Sequence, residues 1–384
     1  MIEIVDKACC TGCGACYTAC PCNAIEMKED EEGVVYPNVI EDKCTNCHKC
    51  ELICPIINRD NKLLNFEDGK PVFFAARLKD EDECFEVSSG GAFWALAKST
   101  LECGGVVYGA YQTNVDDVYH IRCINIVEAE KVRRSKYLQS NTSDIYVSVK
   151  EDLENGLDVL FSGTGCQIAG LVMYLGKKYD NLCTVEVVCH GVPCRLAWDS
   201  YRKEKEELEG KKICDIVFRD KSRGWNYNQY KITYEDGKIE YQKSTEQLFH
   251  KGYLMGLFYR PSCGKCRFAS IPRVADITLA DYWKYKGDIA HVNGISLITV
   301  NNHKGYNFFE KSKKYLDIES ATEEDALASC RHLNNTPIEN LNRNKFMTLL
   351  KKNGYHKAAK KYIEASGFVG KLLQKLRWIF HGKN

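Results

Sequence analysis

Eight cysteines near the N-terminus lie in two stretches with the same spacing. The stretches read CTGCGACYTACP and CTNCHKCELICP, and both follow the pattern C-x2-C-x2-C-x3-C-P. Four tetrahedral ligands on one short loop are hard to arrange around a small zinc ion. A 4Fe-4S cluster is larger, and at this spacing the fourth cysteine of each copy binds the cluster of the other copy. The repeat therefore predicts electron transfer, and zinc is the alternative.

The doubled spacing predicts two clusters that share ligands between the copies. The predicted ligands are Cys10, Cys13, Cys16 and Cys54 for one cluster and Cys44, Cys47, Cys50 and Cys20 for the other. Gly12 and Gly14 let the first loop curl tightly, so that backbone N–H groups can face the sulfurs and adjust the reduction potential. Residues 1 to about 58 resemble the bacterial two-cluster ferredoxins.

Composition narrows the class of protein. The 384-residue chain is 44% hydrophobic and 27% charged, and its net charge is +1. This balance gives no reason to expect nucleic acid or an anionic membrane as the main partner. No basic leader and no apolar run of membrane-spanning length is visible, so we expect a cytoplasmic protein. In that reducing compartment the 21 cysteines would not persist as disulfides, which favours metal binding.

Four further cysteines could form a third metal site. Cys166 lies in FSGTGCQIAGL, where a strand ends and a helix begins, and Cys189 ends another predicted strand. Cys263 and Cys266 form a C-x2-C pair. Four thiolates gathered in one domain would suit a third 4Fe-4S cluster, and structural zinc is again the alternative.

The elements that must position these cysteines follow from periodicity. AIEMKEDEEGVVYP predicts a β-hairpin, and residues 59–71 are a polar linker. Short apolar strands then alternate with helical stretches, and such sheets bind ligands at the carboxyl ends of their strands. The predicted fold is an α+β ferredoxin-like module, residues 1–58, followed by an α/β domain with a mixed, substantially parallel sheet and a helical C-terminal tail.

The larger part of the chain resembles a known family. SSGGAFWALAKSTLECGGVVYGA, SKYLQS, LFSGTGCQIAGL, VCHGVP, CGKCRFAS and RVADITLADYW are similar to the family of beta subunits of coenzyme F420 hydrogenases and dehydrogenases. The resemblance implies a flavoprotein with a 4Fe-4S cluster beside FAD. It divides the chain into a flavin-binding region, residues 72–150, a region with the third cluster and flavin, residues 151–320, and a tail, residues 321–384.

Flavin fits the chemistry, because it converts between the single electrons of clusters and the pairs of organic reductions. The candidate flavin-binding residues are Ser88, Ser89, Gly90, Gly91, Lys136, Gly163, Thr164 and Asp281. The serine-glycine stretch could offer free N–H groups to a pyrophosphate, or its serine could be an ordinary helix N-cap. Lys136 could stabilise reduced flavin or lie on the surface. The family usually has glycine before the aspartate, where this chain has Ala280.

No catalytic residue stands out, and His190 and Lys136 are the candidates. His190 could relay a proton to the reduced substrate or hydrogen-bond a cluster sulfur. The segment FRDKSRGWNYNQY, with Arg219, Arg223 and Trp225, could clamp an acidic or ring-shaped substrate. It could equally be a solvated turn that covers the core.

These features predict an iron-sulfur flavoprotein oxidoreductase acting on a small molecule, with ferredoxin or a partner subunit as electron donor or acceptor. A homo-oligomer is compatible with this prediction. The alternatives are a non-catalytic electron-transfer subunit and a cluster scaffold or redox sensor without flavin. The sequence does not encode the substrate or the direction of electron flow. The basic C-terminal helix predicted around Leu372–Phe380 would pack on the domain or a partner, or lie on a membrane surface.

Overall fold

The computed structural model describes residues 4–64, 70–290 and 292–364. The strands are β1 (Ile25–Glu29), β2 (Val35–Val39), β3 (Val72–Leu78), β4 (Val106–Gln112), β5 (Val118–Cys123), β6 (Val159–Gly163), β7 (Leu182–Val187), β8 (Ile213–Asp220), β9 (Gln229–Tyr234), β10 (Ile239–Lys243), β11 (Ile277–Asp281), β12 (Ser296–Val300) and β13 (Leu316–Ala321). They form three sheets.

The α-helices are α1 (Ala15–Thr18), α2 (Lys49–Leu52), α3 (Glu81–Glu86), α4 (Ala92–Glu102), α5 (Ile126–Ala129), α6 (Ile145–Glu154), α7 (Gly165–Leu175), α8 (Arg195–Glu209), α9 (Leu248–Leu254), α10 (His303–Ser312), α11 (Glu323–Ser329), α12 (Arg343–Asn353) and α13 (Tyr355–Ala359). None of the helices in the described part of the chain is both long enough and apolar enough to cross a membrane.

The main sheet has eight strands in the order β13-β3-β12-β11-β7-β6-β4-β5. The four central strands, from β11 to β4, pair in parallel, and the outer strands add antiparallel pairs. Central strands such as β6 are almost wholly apolar and buried, as expected for a sheet covered on both faces. This mixed architecture confirms the predicted fold class.

Successive residues of the central strands face two different hydrophobic clusters. In β6, Leu160 packs with α4 and α10 on one face of the sheet, whereas Val159 and Phe161 pack with α6 and α7 on the other. The period of two follows from the pleat of the strand. As a result α7, which begins beside Cys166, is fixed against the sheet along most of its length.

Strand β8 lies in a different sheet from the one that the sequence predicts. Its apolar run was expected to continue the alternation of the main sheet, but it pairs antiparallel with β9 in a separate sheet of order β10-β9-β8. A short connection brings β9 back beside β8, and this local pairing forms the second sheet. Its inner face joins α8, α9, α12 and α13 in an aromatic-rich core.

The N-terminal module is packed against the main domain. Its predicted hairpin is confirmed as β1 and β2, which pair antiparallel. At the hairpin tip, the N–H of Leu196 donates to the Glu32 carbonyl at 3.1 Å, and Arg343 of α12 donates to the Glu32 carboxylate at 2.6 Å. The tail is helical to Glu364, and the amphipathic helix predicted around Leu372–Phe380 lies outside the described residues.

Candidate functional site

Four cysteines from both N-terminal motifs line one pocket. Its lining includes Cys10, Cys13, Cys16 and Cys54. We call these four residues the inner quartet. Burial, with a smaller contribution from the neighbouring thiols, raises the pKa of Cys13 to about 12. Thiolates there require a cationic centre, because the protein alone favours the neutral thiols. Cys54 thus lies with the first motif, as the predicted ligand exchange requires.

Two glycines shape the loop of the inner quartet. Gly12 has a φ of +65° and Gly14 a φ of +78°, which is the left-handed region that favours glycine. A Cβ atom on Gly12 would also lie 2.6 Å from Nη1 of Arg260. The loop therefore needs glycine both for its backbone and for the close approach of this arginine.

The second predicted set, Cys20, Cys44, Cys47 and Cys50, lies nearer the solvent, and we call it the outer quartet. Cys20 and Cys44 pack with Cys50 around Ile4, Ile25 and Val39. Residues 45–49, which include Cys47, are exposed. The two quartets of the module therefore differ in access, with the outer one open to a partner.

The structure brings together Cys166, Cys189, Cys263 and Cys266, which we call the core quartet. The neighbouring strands β6 and β7 pair in parallel, so their carboxyl ends bring the first two cysteines to one edge. Burial raises the pKa of Cys189, and the other three thiols add to that rise. Backbone donors face the sulfurs: Gly191 N–H lies 3.3 Å from Cys189 Sγ, and Val192 N–H lies 3.3 Å from Cys263 Sγ.

The thiols within the inner and core quartets are close enough to interact, because they raise one another's pKa values. Within residues 4–64, 70–290 and 292–364, the structure shows no group of three or more His, Cys, Asp or Glu side chains that could hold a single metal ion.

The inner and core quartets meet at α7. Cys166 is in the first turn of this helix, and Gly170 lies one turn later on the same side. A Cβ atom on Gly170 would be 2.9 Å from Cys13 Sγ. Thr142 also contacts this cysteine, because its hydroxyl donates to the Cys13 carbonyl at 3.0 Å.

Sequence reasoning missed Arg260, which connects the module to the core domain. Its Nε donates to the Cys10 carbonyl at 2.8 Å, and its Nη2 donates to the Val35 carbonyl at 2.8 Å. Its Nη1 donates to Gln139 Oε1 at 3.1 Å. The available signal was its position three residues before Cys263, in RPSCGKC.

One flavin candidate, Ser88, lines a second pocket, and Ser89 and Lys136 are next in sequence to residues of its lining. Ser88, Arg134, Arg219 and Lys221 are in its lining, so it is rich in cationic groups. The Ser88 hydroxyl is 2.7 Å from the Ser135 hydroxyl. Lys136 follows directly, and burial, together with the charge of Arg134, lowers its pKa to about 7. The side chain is half-buried and not fully exposed, and its role at a flavin stays a prediction.

The glycine stretch before α4 does not offer the free donors that were expected. The Gly90 N–H donates to Ser296 Oγ at 3.0 Å, and the Ser89 hydroxyl donates to the Ile295 carbonyl at 2.7 Å. The helix N-cap is Gly91, with a φ of +84°, so the alternative of a serine cap is also wrong.

The turn after β6 also uses its donors within the chain. The N–H of Thr164, which follows Gly163, donates to Gln167 Oε1 at 3.0 Å. The Thr164 hydroxyl lies 3.2 Å from Cys166 Sγ. Thr164 is therefore placed to orient the cysteine.

Asp281 contacts the segment that was expected to clamp substrate. Its carboxylate accepts hydrogen bonds from Arg219 at 2.9 Å and from Trp225 Nε1 at 3.2 Å. Trp225 is buried and stacks on Trp283 with ring centroids 4.5 Å apart. The arginine and the buried tryptophan are thus engaged within the chain, while Arg223 lies 3.2 Å from the Tyr227 hydroxyl.

His190 follows Cys189 and lies within the aromatic core. Burial, together with the neighbouring His332, whose ring centroid is 4.3 Å away, lowers its pKa to about 4. Its Nε2 has no hydrogen-bond partner among the described residues. The imidazole is therefore neutral at pH 7 and keeps one ring nitrogen available.

Comparison with known proteins agrees with this organisation. Residues 157–325 match the family described as the C terminus of the coenzyme F420 hydrogenase/dehydrogenase beta subunit, and residues 9–56 match the "4Fe-4S dicluster domain". The F subunit of the F(420)H(2) dehydrogenase from Methanosarcina mazei is 24% identical over 175 residues, which is 43% of this chain and 48% of the relative. The chain thus spans about half the length of that relative.

Two further proteins are similar to this chain. A ferredoxin-like protein in the nif region of Sinorhizobium fredii is 43% identical over 53 residues, covering 12% of this chain and 75% of the relative. A chain in the structure of the F420-reducing [NiFe] hydrogenase complex from Methanosarcina barkeri is 17% identical, with a TM-score of 0.45 over 80% of this chain and 95% of that chain. The chain therefore combines a region similar to the C terminus of coenzyme F420 hydrogenase/dehydrogenase beta subunits, residues 157–325, with a region that matches the 4Fe-4S dicluster domain, residues 9–56.

Proposed function

We propose that this chain is an iron-sulfur flavoprotein oxidoreductase that transfers electrons between a redox partner and a small-molecule substrate. The observation that carries the proposal is the meeting of the inner and core quartets at α7, where Cys13 lies against Gly170, one turn after Cys166. Clusters bound at neighbouring sets of thiols would lie close enough to pass electrons from one to the next.

Each quartet would hold one 4Fe-4S cluster. When bound, the clusters carry single electrons, and a flavin exchanges them for the electron pairs of organic chemistry. The exposed segment 45–49 leaves the outer quartet accessible to a ferredoxin or a partner subunit. Three cysteines of the inner quartet, Cys10, Cys13 and Cys54, are buried, and this burial would slow the oxidation of their thiols.

The second pocket supports a flavin site. Three cationic side chains line it together with Asp220: Arg134, Arg219 and Lys221. Arg134 and Arg219 already pair with Glu86 and Asp281, so Lys221 would supply the charge that attracts an anionic cofactor such as FAD. Lys136, which follows the Ser135 of this pocket, would stabilise negative charge on the bound group.

Metal and flavin analysis after anaerobic purification tests this function. We expect about twelve irons, matching sulfide and one FAD per chain from three four-iron clusters. About eight irons with one zinc would overturn the third cluster, and full iron without flavin would overturn the flavoprotein assignment. Cys266→Ser is expected to lose about four irons. Cys194→Ser is the matched control, because Cys194 is buried but lies outside the three quartets.

A non-catalytic electron-transfer subunit is the second candidate. It is supported by the similarity to one subunit of F(420)H(2) dehydrogenase and by exposed apolar side chains near the outer quartet, since Leu52 and Ile57 are 67% and 46% exposed. Such a subunit would exchange single electrons with ferredoxin but would not reduce two-electron acceptors. Turnover of an obligate two-electron acceptor by the purified, loaded chain would exclude it.

A further inference from the structure

Arg260 lies between the inner and core quartets and is 2% exposed. Its three nearest acceptors are the Cys10 carbonyl, the Val35 carbonyl and Gln139 Oε1, all of which are neutral. The guanidinium also lies 4.8 Å from the ring centroid of Tyr36. The side chain is thus held in one place by three segments that are far apart in sequence.

The charge of Arg260 has no carboxylate partner within 4.0 Å among the residues that the structure describes. A buried cation without an anion is costly, and proteins retain one where a negative group compensates it. The negative groups within reach are thiolates. Nη2 lies 3.7 Å from Cys10 Sγ. On the side of the core quartet, the Arg260 carbonyl accepts from the N–H of Cys263 at 2.9 Å. The Arg260 N–H donates to the carbonyl of Val192, whose own N–H lies 3.3 Å from Cys263 Sγ.

We propose that Arg260 is a positioning residue whose fixed positive charge raises the reduction potentials of the groups bound by both the inner and the core quartet. The inference rests on the proposed function, because it requires redox clusters at these cysteines. Reduction adds one negative charge to a cluster, and a nearby buried cation stabilises the reduced form more than the oxidised form. The direct contacts to Cys10 predict a larger effect at the inner quartet.

Redox titration of Arg260→Gln, followed by EPR under anaerobic conditions, tests the proposal. We expect the equilibrium constant for reduction at the inner quartet to fall at least tenfold, which is about 59 mV toward more negative potential for one electron. A smaller shift in the same direction is expected at the core quartet. The outer quartet, to which Arg260 makes no hydrogen bond among the described residues, serves as the reference within each sample.

Two other variants separate charge from structure. Arg260→Lys keeps the charge and is expected to stay within threefold of the wild-type equilibrium constant. Arg343→Gln removes another buried arginine that also contacts the N-terminal module, through Glu32, and is expected to leave the potentials unchanged.

Specific results would overturn the inference. Unchanged potentials in R260Q, or an equal shift in R343Q, would overturn it. A tenfold shift in the equilibrium constant of R260K would also overturn it, and this variant provides the test if R260Q does not assemble clusters. Wild-type protein without iron at these cysteines would instead overturn the proposed function. Full iron with unchanged potentials would overturn only the role of Arg260.

Discussion

Cys13 lies directly against Gly170. A Cβ atom built on Gly170 would be 2.9 Å from both Cβ and Sγ of the cysteine and 3.1 Å from the Tyr146 hydroxyl. The dicluster module therefore approaches α7 closely at Gly170, because this residue has no side chain. This contact fixes the module beside the helix turn that carries Cys166.

Gly170→Ala is expected to separate the two surfaces. The added methyl group meets a side chain that is fixed by its role in the inner quartet, so strain should cost about 1–3 kcal/mol of unfolding free energy. We also expect altered magnetic coupling between clusters at the inner and core quartets. Denaturant unfolding and EPR of the reduced protein measure both effects. Val172→Ala, on a half-buried position of the same helix, is the control, and wild-type values in G170A would contradict the close contact.

Cys54→Ser tests the exchange of ligands between the two motifs. Cys54 belongs to the second motif but lines the pocket of the first, so we expect the variant to lose about four irons from the inner quartet. The exposed outer cluster should react first with a chelator. That fast phase of iron release should therefore remain in C54S and disappear in Cys20→Ser. The opposite pattern would mean that each motif binds its own cluster.

The local elements and the cysteine sets were predictable because their signals are local or repeat in sequence. The hairpin from β1 to β2, the helix that begins at Gly165 and the C-x2-C pair depend on turns, caps and spacing within a few residues. The partner of β8 was not predictable in this way. A short apolar strand fits several sheet edges, and the pairing that wins depends on where the rest of the chain packs.

Arg260 could not be predicted for a related reason. Its role arises from Cys10, Val35 and Gln139, which come from three separate segments and meet only in the folded protein. The prediction of free N–H groups before α4 was wrong for the same reason. Ser296, about 200 residues later in the chain, accepts the hydrogen bond from Gly90. Sequence alone shows the donors but not the acceptors that reach them.

His120 predicts how stability depends on pH. Burial lowers its pKa to about 4 from an ordinary value of 6.5, and its Nε2 is 2.8 Å from the Ser162 carbonyl. As pH falls below 6.5, the unfolded chain therefore takes up this proton before the folded chain does. The contribution of this histidine to stability is fully present above pH 6.5 and is lost as the pH falls toward 4. At pH 5 the loss of unfolding free energy from this histidine alone is roughly 2 kcal/mol.

Anaerobic denaturant unfolding between pH 8 and pH 5 measures this loss. The buried His250, whose pKa burial also lowers to about 4, adds a change of the same sign. His120→Gln is expected to be less stable at pH 7 but to lose less on acidification. His303→Gln, at an exposed position, should keep the wild-type slope. A slope in H120Q as steep as that of the wild type would contradict the assignment.

Glu32 and Arg343 should couple the hairpin of the module to the C-terminal part of the domain. The carboxylate accepts from the guanidinium at 2.6 Å, and the two side chains are 19% and 5% exposed. Glu32→Gln removes the negative charge and leaves the buried arginine with neutral acceptors, among them the Tyr259 carbonyl and Cys194 Sγ, so we expect a loss of about 2–3 kcal/mol. The double variant E32Q/R343Q should lose less than the sum of the single variants, with a coupling energy of about 1–3 kcal/mol. Denaturant unfolding of all four proteins gives this energy. Additive losses would show that the contact does not hold the module in place, and the position of the inner quartet would then depend on Cys13, Gly170 and Arg260.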